Sequence, residues 1–295
     1  MKNIFILFTC LSLFLFSCSK KEKEPWTQEP PTNNSNTSNL VFKFHFDSTL
    51  ARLDNFGNPA TIPAGNAAQS PKFHGMSAHY IEFAQDSTTQ LGAGEIIYHA
   101  PETTAGGSNA TDFDQAVIKG EGETFYSIPL SQVAAGTYKW MRVSLTYQNY
   151  DIRFLESGNH YTGRLASFVG FNTYISNYTI DTQTILVYAN KLQGYWGFET
   201  QGLTFEGQAP GTTVPNPISG TSPIPPGSCV VTGAFATPLT ITGNETQDVT
   251  VYVNVSTNNS FEWKDANGDG FYEPNGTPAD TLVDMGLRGL FPTYQ

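Results

Sequence analysis

Oxygen-bearing side chains between residues 265 and 273 are spaced to suit a hard cation. The candidate ligands are Asp265, Asn267, Asp269, Phe271 (through its backbone carbonyl) and Glu273. Ca²⁺ takes six to eight oxygen ligands, and loops that hold it use this alternate spacing with a Gly for the sharp turn. The sequence therefore predicts a structural calcium loop. The alternative is a hairpin turn whose carboxylates hydrogen-bond only the backbone.

The usual acidic ligand at the twelfth position of such a loop is missing, because Gly276 stands there. Glu273, Asp280 or Asp284 would have to complete the shell of oxygens. The preceding segment has the pattern of a strand, so the loop is not flanked by a helix pair.

Histidines offer a second kind of metal chemistry, because imidazole nitrogen suits copper, zinc and nickel. The five are His45, His74, His79, His99 and His160. No His-Glu-x-x-His or Cys-x-x-Cys motif is present, so a site would need histidines from different strands to converge. The alternative is that they occupy the surface or satisfied positions in the core.

Carboxylate pairs raise the hypothesis of a glycan-processing enzyme, which needs two acids across a sugar. The pairs are Asp112 with Asp114 and Glu121 with Glu123, and the aromatic candidates for sugar stacking are Trp140, Tyr195, Trp196 and Trp263. Such acids are commonly solvated, and such aromatics commonly belong to a core. Since no nucleophile elbow, phosphate-binding loop or dinucleotide motif occurs, we expect binding rather than catalysis, with a glycan, a protein or a metal as ligand.

The first eighteen residues have the pattern of an export signal. Lys2 gives a positive start, residues 4–16 are almost wholly apolar, and the run is too short to span a bilayer. The ending Leu15-Phe16-Ser17-Cys18 resembles the lipobox of bacterial lipoproteins. The resemblance implies that residues 1–17 are a lipoprotein signal peptide and that Cys18 is acylated, which anchors the chain to the bacterial outer membrane, facing the periplasm or the cell surface.

Composition separates the remaining chain into a tether and one large domain. Residues 18–39 are polar and rich in Lys, Pro, Asn and Ser, which predicts a disordered tether after the acylated cysteine. The formal net charge of −11 argues against nucleic acid as a partner. Cys229 stands alone beyond the tether, so no internal disulfide is expected, and we interpret it as a buried, inert thiol.

Alternating apolar residues predict an elaborated antiparallel β-sandwich over residues 40–295. The clearest strands are residues 41–47, 141–154 and 249–255, with turn clusters rich in Gly, Asn and Pro between such segments. In the second of these, Val143, Leu145 and Tyr147 are expected on one face, and the apolar phase then slips at Gln148-Asn149, which predicts a β-bulge there.

Several short patterns occur in a suggestive order: Phe42-x-Phe44, residues 76–83, the Gly136-Thr-Tyr138 strand, and Tyr195-Trp196-Gly-Phe198. This order resembles the MbnP-like family of exported, copper-associated proteins and lipoproteins. The resemblance implies an all-β fold, a role in copper handling, and His79 and His160 as candidate copper ligands.

Overall fold

The structure is a computed structural model that describes residues 38–54, 57–90, 92–209 and 229–295. The predicted signal peptide, Cys18 and the tether as far as residue 37 lie outside the described residues. Strands dominate, with two short 3₁₀ turns at Phe113–Gln115 and Leu130–Gln132. In chain order the strands are β1 Asn39–Asp47, β2 Asn66–Gln69, β3 Lys72–Ala84, β4 Glu95–His99, β5 Glu102–Thr103, β6 Ala110–Asp112, β7 Thr124–Pro129, β8 Gly136–Glu156, β9 Asn159–Phe168, β10 Asn172–Thr179, β11 Thr184–Leu192, β12 Tyr195–Thr200, β13 Leu203–Gln208, β14 Val230–Ile241, β15 Val249–Ser256, β16 Phe261–Lys264, β17 Thr281–Asp284 and β18 Leu290–Tyr294.

Four sheets arise from these strands. The central sheet has the order β13-β12-β9-β8-β3-β4, and β14 also pairs with β8. The front sheet is β18-β15-β1-β7, the rear sheet is β11-β10-β6-β5, and a small sheet is β17-β16-β2. The predicted all-β sandwich is confirmed. Most pairs are antiparallel, but β1 with β15 and β6 with β10 are parallel.

The larger core lies on the front side of the central sheet. Alternate residues of β1 and β15 point into it, as the apolar pattern predicts, and they meet apolar side chains of β3 and β8. Phe42 and Phe83, for example, have ring centroids 5.9 Å apart. Burial of this apolar surface is the main term that stabilises the sandwich.

A smaller, aromatic core lies on the rear side, where Tyr147 and Phe168 pack with residues of β10 and β12. Tyr147 reaches this side because β8 has a bulge: Ser77 pairs with Tyr147, whereas Ala78 pairs with Leu145, so Thr146 is the extra residue. The predicted bulge therefore exists, but two residues before the expected place. The expectation that Tyr147 shares a face with Val143 and Leu145 is wrong, because one extra residue turns every later side chain to the other face.

Buried ion pairs connect Arg52 and Arg288, which lie outside the strands, to Glu262 of the small sheet. Glu262 is 2% exposed and accepts hydrogen bonds from Arg52, from Arg288 (3.0 Å) and from Asn66 (2.5 Å). Arg288 Nη2 also lies 2.6 Å from Asp284 Oδ2. Burial raises the pKa of Asp284 to about 6 despite Arg288, so for this carboxyl group the loss of water outweighs the nearby cation.

Cys229 is buried, as the sequence predicts, and burial raises its pKa to about 12 from an ordinary 9.0. At pH 8 its thiolate fraction should be about 1000-fold below that of an exposed thiol, since each pKa unit is tenfold. Iodoacetamide should therefore leave Cys229 unmodified in the native chain and alkylate it in guanidinium chloride, measured by mass spectrometry of the peptide that contains it. Rapid alkylation under native conditions would contradict the burial.

Candidate metal centre

The predicted calcium loop connects β16 to β17, and its aspartates accept hydrogen bonds from the backbone of the loop itself. Asp265 accepts hydrogen bonds from the backbone N–H of Gly268 and Gly270, both at 2.8 Å. Asp269 accepts from the backbone N–H of Phe271 at 2.8 Å. Gly268 and Gly270 have φ values of 78° and 79°, which glycine adopts without the steric cost of a Cβ atom.

The structure distinguishes the three residues that were expected to complete the calcium shell. Glu273 reaches into the loop, where its Oε2 accepts a hydrogen bond from Asn267 at 2.7 Å. Asp280 instead accepts from the backbone N–H of Ala266 and of Glu273, both at 2.8 Å. Asp284 belongs to the buried charge cluster around Arg288. Of these three residues, Glu273 is therefore the one whose carboxylate contacts a side chain of the candidate set.

His79 and His160, the two candidate copper ligands, lie on β3 and β9, the strands on either side of β8, and beside distant positions of that strand. His79 on β3 lies beside the pairing of Tyr80 with Ser144, whereas His160 on β9 pairs with Leu155. His160 packs instead against Phe271 of the candidate calcium loop, with ring centroids 4.8 Å apart. The structure does not bring these two histidines together.

His79 does meet a different histidine and a carboxylate. His79 Nε2 lies 2.8 Å from Glu102 Oε1, and His99 Nε2 lies 3.5 Å from the same oxygen. One ligand atom from each residue can be chosen so that all lie within 4.8 Å of one another. In the described part of the chain this is the one group of three His, Cys, Asp or Glu side chains that meets this condition.

Three strands that follow one another along the chain bring these three side chains together. His79 is in β3, His99 is the last residue of β4, and Glu102 is the first residue of β5. Ala100, in the short link between β4 and β5, donates its backbone N–H to the carbonyl of His79 at 2.8 Å. That bond fixes the link against β3, so the two imidazoles and the carboxylate lie together where β4 ends beside the middle of β3.

Aromatic rings form one wall of this cluster. The ring of Tyr80 meets both imidazoles edge-on, with centroids 4.5 Å from His79 and 4.3 Å from His99. Phe171 lies 5.2 Å from His79 on another side. The side chain of His79 is only 2% exposed, whereas those of His99 and Glu102 are 40% and 26% exposed, so the cluster opens to solvent on one side.

Protonation states in the cluster suit metal ligation. Burial lowers the pKa of His79 to about 4, so its imidazole is neutral at physiological pH. For Glu102, burial raises the pKa, but hydrogen bonds from Asn109 and His79 outweigh it and leave the pKa below the ordinary value. A neutral imidazole and an ionised carboxylate are the forms that bind metal ions.

Each carboxylate of the proposed glycosidase pairs is engaged by nearby groups. Glu121 accepts from the backbone N–H of Phe46 at 2.7 Å and contacts His45, while Glu123 accepts from Gly120 at 2.7 Å. Asp112 accepts from Gln115 at 2.6 Å, and Asp114 accepts from the hydroxyl of Ser176 at 2.7 Å. These bonds favour a structural role for the pairs.

The aromatic residues proposed for sugar stacking do not form a platform. Trp263 and Tyr195 are buried in the core, and Trp140 and Trp196 are half-exposed on strands that are not neighbours in the sheet. A polar pocket of about 370 Å³ lies elsewhere, on β9 and β12, but its charges are already paired. Arg164, for example, contacts Asp151 and lies 2.9 Å from Asp181.

Sequence reasoning named His99 only as one of five histidines, and it missed Glu102 and Asn109 as members of a site. The available signal was the spacing His99-Ala-Pro-Glu102 directly after an apolar strand, which places two metal-binding side chains at one strand end. The alternation of apolar residues could not show that His79, within the longer strand β3, lies beside His99 and Glu102.

The described residues include no helix that is long and apolar enough to cross a membrane. Comparison of the chain with protein-family models, with curated proteins and with solved structures finds no match.

Proposed function

We propose that this chain is a metal-binding protein of the bacterial cell envelope, with His79, His99 and Glu102 as the ligands of a transition-metal ion. The single observation that carries the proposal is the convergence of two imidazoles on one carboxylate oxygen, at 2.8 and 3.5 Å. Two His and one carboxylate form a recurring ligand set for such ions.

The distances support a fit without large movement. Metal–nitrogen bonds of about 2.0–2.1 Å in a tetrahedral site place neighbouring ligand atoms about 3.3 Å apart. The two contacts to Glu102 Oε1, at 2.8 and 3.5 Å, lie on either side of that value. Among the residues that the structure describes, His79 Nδ1 has no hydrogen-bond partner, so the ring can move its proton from Nε2 to Nδ1 without breaking another bond.

The ligand set favours copper, zinc or nickel over calcium or magnesium, because imidazole is a softer ligand than oxygen. Among these, copper is the ion that the MbnP-like resemblance implies. Three protein ligands leave a coordination position for water or an external ligand, and the solvent-exposed side of His99 and Glu102 is where that ligand would enter. Such a site suits an ion that is exchanged or handed on.

The proposal is tested by metal analysis of the chain purified without chelator, followed by titration with Cu²⁺ and Zn²⁺. We expect one equivalent of transition metal per chain, with binding that a strong chelator reverses. Lack of binding of both ions at micromolar concentration would exclude this function.

The envelope location is proposed from the lipobox ending at Cys18. Two or three acyl chains on one cysteine hold a protein on a bilayer far more firmly than a single chain does. Mass spectrometry of the mature N-terminus should find a diacylglyceryl group on Cys18. An unmodified N-terminus at another residue would contradict the anchor.

A second candidate function is structural calcium binding by the loop of Asp265, Asn267, Asp269, Phe271 and Glu273. The observation that favours it is the hydrogen bond from Asn267 to Glu273, which places an acid beside a candidate ligand although Gly276 occupies the usual acidic position. Calcium would then stabilise the loop of residues 265–280 that connects β16 to β17.

Removal of calcium should lower the melting temperature. Calcium at 100 times its Kd contributes about 2.7 kcal/mol, and a chain of this size shifts by about 2–4 °C per kcal/mol, so EGTA should cost about 5–10 °C. Asp269→Asn keeps an oxygen for the Phe271 N–H but removes the charge, so its melting temperature should not depend on calcium. Equal melting of the wild-type chain with calcium and with EGTA would exclude the site.

A further inference from the structure

We propose that Asn109 is a positioning residue of the candidate transition-metal site, which holds Glu102 so that a single carboxylate oxygen faces the ion. This inference rests on the proposed function. Asn109 Nδ2 donates to Glu102 Oε2 at 2.7 Å, while Oε1 is the oxygen that both imidazoles approach. The two oxygens of one carboxylate therefore have separate roles.

The amide of Asn109 restricts Glu102 in two ways. Glu102 is partly exposed, and a free Glu side chain at the surface samples several rotamers, so holding it in place saves conformational entropy when the ion binds. An N–H donor on Oε2 also occupies that oxygen, which favours monodentate ligation through Oε1. The third coordination position is then fixed, and the remaining ones stay open on the exposed side.

Asn109 is itself held firmly by its hairpin. It lies between β5 and β6, directly before Ala110, and its carbonyl accepts a hydrogen bond from Asn172 of β10 at 2.8 Å. The neighbouring Ser108 hydroxyl accepts from Asn190 of β11 at 2.9 Å. Two strands of the rear sheet thus anchor the segment that carries the Asn109 donor.

Close packing of the same turn leaves it little freedom. A Cβ atom on Gly106 would lie only 1.9 Å from Asn190 Oδ1, so the turn rests directly on that amide. The donor is therefore in place before an ion arrives, which is the condition under which an outer hydrogen bond adds to affinity.

The test uses Cu²⁺ as the probe with three full-length chains: wild type, Asn109→Ala and Asn254→Ala. Asn254 is the matched control, because its amide, like that of Asn109, donates to a side chain (Thr293, 3.0 Å), but it lies in the front sheet, where it also donates to the carbonyl of Phe291 at 2.7 Å. Affinity is measured by chelator competition, and the ligand geometry by the electron paramagnetic resonance spectrum of bound Cu²⁺.

Asn109→Ala should bind Cu²⁺ about 10- to 100-fold more weakly, as is typical when an outer hydrogen bond to a ligand is lost. Its resonance spectrum should also change, because Glu102 is no longer held in one orientation. Asn254→Ala should match wild type in both measurements. Wild-type affinity and spectrum in Asn109→Ala would overturn the positioning role, as would an equal loss in Asn254→Ala. Failure of wild type to bind Cu²⁺ would instead remove the metal function itself.

Discussion

Replacement of His79 by Phe should abolish transition-metal binding, whereas replacement of His160 by Phe should leave it unchanged. His79 supplies the buried imidazole of the candidate centre, and a Phe ring at this position preserves the packing against Tyr80 and Phe171 while removing both nitrogens. Only two ligands, His99 and Glu102, would then remain, which is too few for tight binding. The loss should therefore exceed the roughly 10- to 100-fold cost of an outer-shell change.

Calorimetric titration with Cu²⁺ and Zn²⁺ checks this prediction, and far-UV circular dichroism confirms that both variants fold. His160→Phe is the matched control, since His160 is also an imidazole in a strand packed on an aromatic ring, but it contacts Phe271 rather than Glu102. Retained binding in His79→Phe would place the metal elsewhere. Loss of binding in His160→Phe would support the pair that the family resemblance implies.

Replacement of Glu262 by Leu should lower the free energy of unfolding by about 3–5 kcal/mol, the usual cost of leaving a buried charge without its partner. Both Arg52 and Arg288 share this carboxylate, and its side chain is 2% exposed. Burial also lowers the pKa of Arg52, which shows that its guanidinium is removed from water and depends on the neighbouring acids.

Urea unfolding of the two chains gives this difference directly. Asp181→Ala serves as the control, because it removes an ion pair with Arg164 in which the Asp181 side chain is 48% exposed. That change should cost about 0–1 kcal/mol, since solvent screens exposed pairs. A loss below about 1 kcal/mol in Glu262→Leu would show that Glu262 is not the shared partner of two buried cations.

Strong alternation in the sequence was enough to predict the fold class and the main strands. Val251, Val253 and Val255 of β15 are buried as their spacing indicates, because a half-buried strand places every second residue in the core. Other elements gave no such signal. The boundary between β12 and β13 is an example, because Gln201 and Gly202 form a tight hairpin turn there, both with positive φ, within a run of strand-forming residues.

The candidate metal centre was less accessible to sequence reasoning, for a physical reason. His79 and Glu102 are 23 residues apart, and their contact depends on how β4 pairs with β3 and how the chain then continues into β5. Local spacing determines which face a side chain takes, whereas long-range pairing determines its neighbours. The candidate calcium loop, by contrast, could be proposed from the sequence because its candidate ligands lie within nine consecutive residues.

The parallel pairing of β1 with β15 has a consequence for the order of folding. Phe42 pairs with Val251, so the pairing of a strand near the beginning of the domain cannot be completed until a strand near its end is available. Such distant contacts slow folding, because the intervening chain must be closed into a loop first. A chain that emerges from a ribosome or a translocation pore with its N-terminus first would leave one edge of β1 unpaired until residues 249–256 had followed.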